Sequence, residues 1–253
     1  MGKKVTVIGA GSVGATVAYT LSVMGIADEI VMIDINESKV LGEALDIRQG
    51  LPFYSTSSVY AGGYAEAENS DIVVITSGMA RKPGQSRLDL AQANVDIIKS
   101  IADKIVPVCP DATYVIVSNP VDVLTYVFLK HTGLPEERVI GSGTVLDTAR
   151  LRARISEYYS VNQKNVHAYV LGEHGDSSFV PWSLANISNV PVETFKDALQ
   201  TKDTYPEFVM EEVEEYMRKS GARVIQRKGA TFYAVAMSVC HICKCIYANA
   251  GTA

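Results

Sequence analysis

The stretch KVTVIGAGSVG, residues 4–14, decides the fold that this sequence predicts. A run of apolar, mostly β-branched residues leads into three glycines, and a helical pattern follows at once. In such a unit one glycine permits a tight turn, the next lets a pyrophosphate approach the backbone, and the last allows close packing of helix on strand. The unpaired N–H groups of the helix start can then bind the phosphates. The candidate cofactor-binding residues in this stretch are Gly9, Gly11, Ser12, Val13 and Gly14.

An acidic residue at the end of the next apolar run strengthens this interpretation. Asp34 follows Gly14 by 20 residues, a spacing at which a carboxylate can hydrogen-bond both ribose hydroxyls. A carboxylate there also repels a 2′-phosphate, so the sequence predicts NAD rather than NADP as the cofactor.

Apolar runs alternate with amphipathic stretches through the first half of the chain. The candidate strands are Lys4–Ile8, Glu29–Asp34, Asp71–Thr76, Thr113–Ser118 and Arg138–Ile140. The candidate helices are Val13–Gly25, Glu37–Gln49, Leu88–Lys104 and Asp122–His131. This alternation predicts an α/β fold with a doubly wound parallel sheet, the Rossmann arrangement, which binds ligands beyond the carboxyl ends of its strands.

The pattern changes near residue 141, where we predict a boundary between two domains, 1–141 and 142–253. The second domain is predicted to be α+β. Its candidate elements are a helix at Thr144–Tyr158, a strand at His167–Leu171, and helices at Tyr205–Arg218 and Gly221–Ala248.

Composition narrows the class of protein. The chain has 253 residues, a formal net charge of −5 and 47% hydrophobic residues, which predicts a globular protein and disfavours a general nucleic-acid binder. No apolar run reaches the roughly 18 residues of a membrane span, and no secretory signal pattern precedes the first strand. We therefore expect a cytoplasmic protein with no membrane or nucleic-acid partner. The cysteines at 240, 243 and 245 lie in a helical pattern without a second ligand pair, so we predict buried thiols and no metal site.

A histidine and an aspartate in the second half indicate acid–base chemistry. His174 lies between glycines in Gly172-Glu-His-Gly-Asp176, and its ordinary pKa near neutrality suits it to proton transfer. Asp147 is a candidate partner that would fix the ring tautomer. Each also has an ordinary alternative, a structural histidine and a helix-surface acid.

Two arginine-containing segments complete the pattern. Arg150 follows Asp147 by three residues on the same helix face, where it can clamp a substrate carboxylate or simply form an ion pair with Asp147. The segment 81–87, RKPGQSR, follows the third of the candidate strands and can form a lid over the substrate, or an ordinary solvated loop.

Taken in order, these motifs resemble the lactate/malate dehydrogenase family over nearly the whole chain. The matching motifs are GAGSVG, Asp34, RKPGQSRLDL, SNPVD, SGTVLDTARLR, GEHGDSSFVPWS and KGATFYAVA. The resemblance implies that His174 is the proton donor and acceptor, with Asp147 as its partner. It further implies that Arg150 binds the substrate carboxylate, Arg87 polarises the carbonyl, Asn119 orients cofactor and substrate, and Thr231 lines the pocket.

The motifs leave two substrates open. Arg81 stands where the resemblance places Arg in malate enzymes and Gln in lactate enzymes, and a lid arginine can pair with the second carboxylate of oxaloacetate. Glu173, Trp182-Ser183 and Thr231 resemble the lactate branch. A flexible Arg81 can turn into water when the substrate is pyruvate, so we favour pyruvate and lactate over oxaloacetate and malate.

The resemblance also concerns assembly and regulation. Arg152 and His167 match positions at which bacterial lactate enzymes bind fructose 1,6-bisphosphate between subunits, although a surface arginine and a strand histidine are ordinary alternatives. Relatives are commonly homotetramers, so we expect a homo-oligomer. Family chains continue beyond residue 253, which predicts an incomplete substrate domain with the apolar face of Gly221–Ala248 exposed. A non-catalytic NAD-binding fragment is therefore the alternative from another functional class.

Overall fold

The computed structural model describes residues 2–79, 87–199, 205 and 207–250, with the side chain of residue 87 excepted. These residues form two compact units. The first comprises Met1–Ser142 together with Phe232–Ala253, and the second comprises Gly143–Thr231.

The first unit contains a parallel sheet with helices on both faces. Among the described residues the sheet has six strands in the order β3-β2-β1-β4-β5-β6. The strands are β1 Lys4–Ile8, β2 Glu29–Ile33, β3 Ser58–Ala61, β4 Ile72–Ile75, β5 Thr113–Ile116 and β6 Val139–Gly141. The helices that connect them are α1 Ser12–Val23, α2 Glu37–Gly50, α3 Arg87–Ile105 and α4 Val121–Thr132. This strand order is that of the Rossmann fold, so the fold prediction is confirmed.

The register of the sheet brings the loops that follow its central strands to one edge. Thr6 of β1 is paired with Val31 of β2 and with Val73 of β4, and all of these pairings are parallel. The central strands consist mainly of Val and Ile that are fully buried, because helices cover both faces of a parallel sheet. Strand β3 was not predicted, since its four residues SVYA lie at the edge of the sheet and give a weak apolar signal.

The second unit is smaller and has its own core. It contains α5 Val145–Tyr159, the antiparallel strands β7 Val166–His167, β8 Asn186–Ile187 and β9 Val190–Pro191, the short helix α6 Val192–Phe195, and α7 Met210–Lys228. Leu151, Ile155 and Tyr159 of α5 pack with Val213 and Met217 of α7 in this core. The predicted strand His167–Leu171 is shorter than expected: β7 ends at His167, and Leu171 forms an isolated bridge with Phe179.

The prediction of one long helix at Gly221–Ala248 is wrong. Helix α7 runs through Gly221 to Lys228, and Gly229 follows with a positive φ of 85°, after which α8 begins at Tyr233 and ends at Ala248. A glycine takes this left-handed conformation at no steric cost and ends the helix. The helix predicted at Tyr205–Arg218 is the amino-terminal part of α7, which begins at Met210.

Helix α8 packs in the first unit, against α1. Cys240 and Cys243 are fully buried there, burial raises the pKa of both thiols, and the Cys240 Sγ lies 3.8 Å from the Val17 carbonyl oxygen. The expectation that the apolar face of this helix is exposed is therefore wrong for these residues, although Tyr233 and Met237 are 67% and 51% exposed.

Two further properties concern the described residues alone. None of their helices combines the length and the apolar character needed to cross a membrane. They also contain no group of three or more His, Cys, Asp or Glu side chains arranged to hold a metal ion.

Candidate active site

The glycines of the first βα turn have the geometry that a dinucleotide site needs. Gly9 has a φ of 105°, and a Cβ there would lie 2.8 Å from the backbone nitrogen of Ser77. A Cβ on Gly14 would lie 1.7 Å from the Gly9 carbonyl oxygen, so helix α1 can approach β1 only with glycine at this position. Nothing lies within 4 Å of a Cβ built on Gly11. The space beside Gly11 is therefore open, as the approach of a pyrophosphate requires.

The start of α1 adds the anion-binding property. Ser12 and Val13 are in its first turn, no side chain caps its N-terminus, and no acidic side chain lies in that turn. Exposed backbone N–H groups and the positive end of the helix dipole favour a phosphate at such a terminus.

Asp34 is held in a fixed orientation at the end of β2. Its Oδ2 accepts a hydrogen bond from the Ala10 backbone N–H at 2.6 Å, and its Oδ1 accepts one from the Asn36 N–H at 2.8 Å. Each carboxylate oxygen keeps acceptor capacity for ribose hydroxyls. The structure thus joins Asp34 to the glycine turn through Ala10.

A cavity of about 740 Å³ lies beside these residues within the first unit. Gly9, Gly11 and Asp34 line it, as the sequence predicts. It also has a lining that sequence reasoning missed, formed by Ile35, Lys39, Tyr64, Ser100, Ile101 and Lys104.

Two of these missed residues interact across the cavity wall. The Lys104 ammonium lies 5.7 Å from the centre of the Tyr64 ring, and burial raises the pKa of the Tyr64 hydroxyl. Ile35 is fully exposed at the cavity, and its place directly after Asp34 was the available signal. Tyr64 lies shortly after the edge strand β3, and Lys104 lies near the end of α3. Neither belongs to a sequence motif, so the sequence did not indicate that they line the cavity.

Polar side chains tie together the loops at the carboxyl ends of β1, β4 and β5. Thr76 Oγ1 donates to the Gly9 carbonyl at 3.0 Å. Asn94, which is 2% exposed, accepts from the Met79 N–H at 2.8 Å and donates to the Asn119 carbonyl at 2.8 Å. Asn119, predicted to orient cofactor and substrate, is therefore fixed through its backbone while its side chain is exposed.

The second unit brings His174, Asp147 and Arg150 into one cluster. The His174 Nδ1 lies 2.5 Å from the Asp147 Oδ2, and the Arg150 Nη1 donates to the Asp147 Oδ1 at 3.0 Å. The side chains of Asp147, Arg150 and His174 are 8%, 18% and 30% exposed, respectively. One buried carboxylate thus holds a histidine with one oxygen and an arginine with the other.

The charge on Asp147 is stabilised by these two partners. Burial alone raises the pKa of this carboxyl, but the hydrogen bond and charge of His174, followed by those of Arg150, lower it further than burial raises it. The net pKa lies below the ordinary value of 3.8, so Asp147 is ionised at neutral pH. An ionised partner on Nδ1 leaves Nε2 as the nitrogen that can exchange a proton with a substrate.

The loop that carries His174 is closed by a short backbone bridge. Leu171 and Phe179 exchange two hydrogen bonds, at 2.9 and 3.0 Å, and Gly172 turns the chain with a φ of 88°. Within the loop, the Ser177 hydroxyl donates to the Glu173 carboxylate at 2.7 Å. Gly172 therefore permits the tight turn of the loop that carries His174.

Of the remaining predicted positions, the structure describes some and not others. Thr231 is half-buried, in the chain segment that follows α7. Arg81 lies outside the described residues, as does the side chain of Arg87, whose backbone begins α3. The Arg152 Nε donates to the Ala168 carbonyl at 2.9 Å and its guanidinium lies 5.0 Å from the Tyr169 ring centre, whereas His167 is exposed on β7.

The fold, the glycine turn and the His–Asp–Arg cluster together define a nucleotide-dependent oxidoreductase. Residues 3–141 match the model of the lactate/malate dehydrogenase NAD-binding domain, and residues 144–253 match that of the lactate/malate dehydrogenase alpha/beta C-terminal domain. The chain belongs to the lactate/malate dehydrogenase family. It is accordingly an NAD-dependent oxidoreductase that acts on a CH–OH group.

Curated relatives are similar in sequence to this chain over most of its length. An L-lactate dehydrogenase of Clostridium botulinum (strain Loch Maree / Type A3) is 47% identical over 251 residues, which cover 98% of this chain and 78% of the relative. An L-lactate dehydrogenase of Thermoanaerobacter sp. (strain X514) is also 47% identical, over 96% of this chain and 78% of the relative.

Two solved structures that are similar to this chain are also named lactate dehydrogenases. A lactate dehydrogenase from a deep-sea metagenome library of the Medee basin superposes with a TM-score of 0.92 at 40% identity, covering 100% of this chain and 80% of the other. The minor L-lactate dehydrogenase of Enterococcus mundtii superposes with a TM-score of 0.91 at 38% identity, covering 96% of this chain and 77% of the other.

Proposed function

We propose that this protein interconverts pyruvate and L-lactate with NAD as the cofactor. The observation that carries the proposal is the Asp147 carboxylate, which holds His174 and Arg150 side by side with its two oxygens. The relatives reported above, which are named lactate dehydrogenases, support this choice of substrate.

The side chains of the second unit have distinct roles in this proposal. The Nε2 of His174 donates a proton to the carbonyl oxygen of pyruvate and takes it back from the hydroxyl of lactate. Asp147 stabilises the imidazolium and fixes the ring tautomer. The Arg150 guanidinium binds the substrate carboxylate with the N–H groups that Asp147 does not use. Thr231 lines the substrate pocket.

The side chains of the first unit complete the proposal. Arg87 polarises the substrate carbonyl, a role whose loss costs about 2.7–4 kcal/mol in comparable transition-state contacts. Asn119 orients cofactor and substrate, and the segment 81–87 excludes water. These roles rest on the resemblance to the family, because the structure does not describe residues 80–86.

The residues present fit NAD. The open space at Gly11, the uncapped start of α1 and the fixed carboxylate of Asp34 match a pyrophosphate and a ribose diol. NAD when bound supplies or accepts the hydride, and the cavity of about 740 Å³ beside Asp34 has room for its adenosine portion.

The alternative substrate pair is oxaloacetate and malate, and Arg81 is the observation that favours it. The test compares kcat/KM for NADH oxidation with pyruvate and with oxaloacetate, in the wild type and in Arg81→Gln. We expect pyruvate to be the better substrate of the wild type and the substitution to increase its advantage about tenfold. Lys82→Gln, a cation removed from the neighbouring position, is the matched control.

The outcomes separate three functions. Higher kcat/KM for oxaloacetate in the wild type would make this a malate enzyme. NADH binding, seen as fluorescence enhancement, without turnover of either keto acid would support the non-catalytic alternative.

Regulation, assembly and location are further parts of the proposal. The Arg152 side chain donates to the carbonyl of Ala168, next to His167, and these two side chains form the proposed fructose 1,6-bisphosphate site of a cytoplasmic homo-oligomer. Addition of the sugar bisphosphate should lower the KM for pyruvate, and Arg152→Gln should remove that effect.

A further inference from the structure

One face of helix α7 is directed at the catalytic cluster of the second unit. Glu214, Arg218 and Gly221 are spaced by four and then three residues, which places them on a single helix face. Glu214 contacts Trp182, Arg218 contacts the Ser178 carbonyl, and Gly221 lies near Arg150. None of the three belongs to a motif that the sequence analysis used.

Arg218 contacts the loop that carries His174. Its Nη2 donates to the Ser178 carbonyl at 3.0 Å and to the Glu214 Oε2 at 2.6 Å. Ser178 is 4% exposed and directly precedes Phe179, which closes the loop by its bridge to Leu171. A hydrogen bond from a charged donor to a buried carbonyl is among the stronger protein hydrogen bonds.

Glu214 fixes the arginine and a second segment at once. Its Oε1 accepts a hydrogen bond from the Trp182 Nε1 at 2.7 Å, while its Oε2 pairs with Arg218. The side chains of Arg218 and Glu214 are 35% and 18% exposed, so water screens this pair in part. The Glu214 carboxylate therefore links α7 directly to Trp182 and, through Arg218, to Ser178. Both residues follow His174 in the chain.

Gly221, on the same helix face, lies near the arginine that we propose binds the substrate. A Cβ on Gly221 would lie 3.4 Å from the Arg150 Nη2 and 3.7 Å from its Nη1. The guanidinium thus lies near α7 at Gly221, and a side chain at this position would touch it.

We propose that Arg218, oriented by Glu214, is a positioning residue that fixes the loop carrying His174 relative to α7. This inference rests on the proposed function, because it assigns the loop a catalytic purpose. Arg218 acts through the Ser178 carbonyl and touches no substrate.

The test uses Arg218→Met in the full chain, with two readouts. The first is the NMR spectrum of the isotope-labelled histidine rings. In it the His174 signal is assigned by its disappearance in His174→Asn. We expect the His174 signal to shift or broaden and those of the other histidines to stay unchanged. The second is steady-state turnover with pyruvate, where we expect kcat to fall about tenfold with little change in the KM for NADH, and the deuterium isotope effect of labelled NADH to rise.

The same helix supplies a matched control. Glu215 and Lys219 form an ion pair with the same spacing, one residue further along, on side chains that are about 60% exposed. Lys219→Met should leave kcat, the isotope effect and the His174 signal at their wild-type values. Arg218→Lys, which keeps the charge, should recover part of the lost turnover. Glu214→Gln is the second variant if Arg218→Met does not fold, and we expect it to move the His174 signal in the same direction.

The outcomes distinguish this inference from the proposed function. An unchanged His174 signal in both Arg218→Met and Glu214→Gln would overturn the inference, as would an equal change in Lys219→Met. A wild type that turns over neither keto acid would contradict the proposed function, and the histidine spectra would still decide whether Arg218 positions the ring.

Discussion

The two units build their sites from different parts of the chain. In the first unit, the groups that fit the cofactor belong largely to the backbone: the glycine turn, the N–H groups at the start of α1, and the two N–H groups that hold Asp34. In the second unit, side chains bind other side chains, with Asp147 between His174 and Arg150. A site made of backbone depends on local conformation, whereas a site made of side chains depends on how helices and loops pack. The first is therefore robust to most substitutions outside its glycines, and the second is sensitive to its surroundings.

The largest effect that separates the units is expected from His174→Asn. This substitution removes the exchangeable proton of the second unit and leaves every contact of the glycine turn in place. We expect kcat to fall by about 10²- to 10⁴-fold, the usual worth of general acid–base catalysis, while the Kd for NADH stays within about twofold. Stopped-flow turnover and NADH fluorescence titration measure the two quantities. Joint loss of both would show that His174 supports cofactor binding instead.

Gly14→Ala should disturb the first unit by backbone collision. A Cβ at this position would lie 1.7 Å from the Gly9 carbonyl oxygen, and neither backbone can move without parting α1 from β1. We expect a loss of about 1–3 kcal/mol in the free energy of unfolding, together with weaker NADH binding. Denaturant unfolding and fluorescence titration check both.

Gly42→Ala is the control for Gly14→Ala. It lies inside α2, and nothing is found within 4 Å of its Cβ. Alanine there should stabilise the protein by about 0.4–1 kcal/mol. Equal losses at both positions would mean that the tight packing at Gly14 is unimportant.

A further effect concerns acid stability and belongs to the second unit. The pKa of Asp147 is lowered below 3.8 in the folded state, so its ionised form stabilises the fold above that pH, and this contribution disappears as the pH falls through the folded-state pKa. Asp147→Asn should therefore reduce the free energy of unfolding at neutral pH by about 1–3 kcal/mol and by less in strong acid. Urea unfolding over the range from neutral pH to about pH 3 measures the difference. A loss that does not depend on pH would mean that packing, and not the charge, is what Asp147 contributes.

The contrast between the units explains what the sequence could predict. The glycine turn, Asp34 and the alternating strands follow from local pattern, and five of the six parallel strands were found in that way. His174, Asp147 and Arg150 were identified as candidates, and the structure brings them together. The contribution of α7 could not be predicted, because Arg218 acts through a contact with a residue 40 positions away in the chain.

Where helices end was less predictable than where they lie. The apolar pattern of 221–248 continues without a proline, so nothing but Gly229 signals the break between α7 and α8. A single glycine inside a helical pattern is tolerated in many helices, so the sequence alone does not indicate that Gly229 takes a positive φ. The lining of the cavity by Tyr64 and Lys104 was missed for the same reason, since it depends on tertiary structure.

The packing of α8 on α1 has a consequence for the order in which the chain folds. The Cys240 Sγ contacts the Val17 carbonyl across 223 residues of sequence, and the Tyr247 hydroxyl donates to the Lys4 carbonyl across 243. During synthesis α1 emerges long before α8, so the surface of α1 that α8 covers stays open until α8 has been made. The Rossmann sheet can assemble early, but α8 joins the first unit only after the whole of the second unit, Gly143–Thr231, has been synthesised. Until then the nascent chain carries a hydrophobic surface of the kind that chaperones bind.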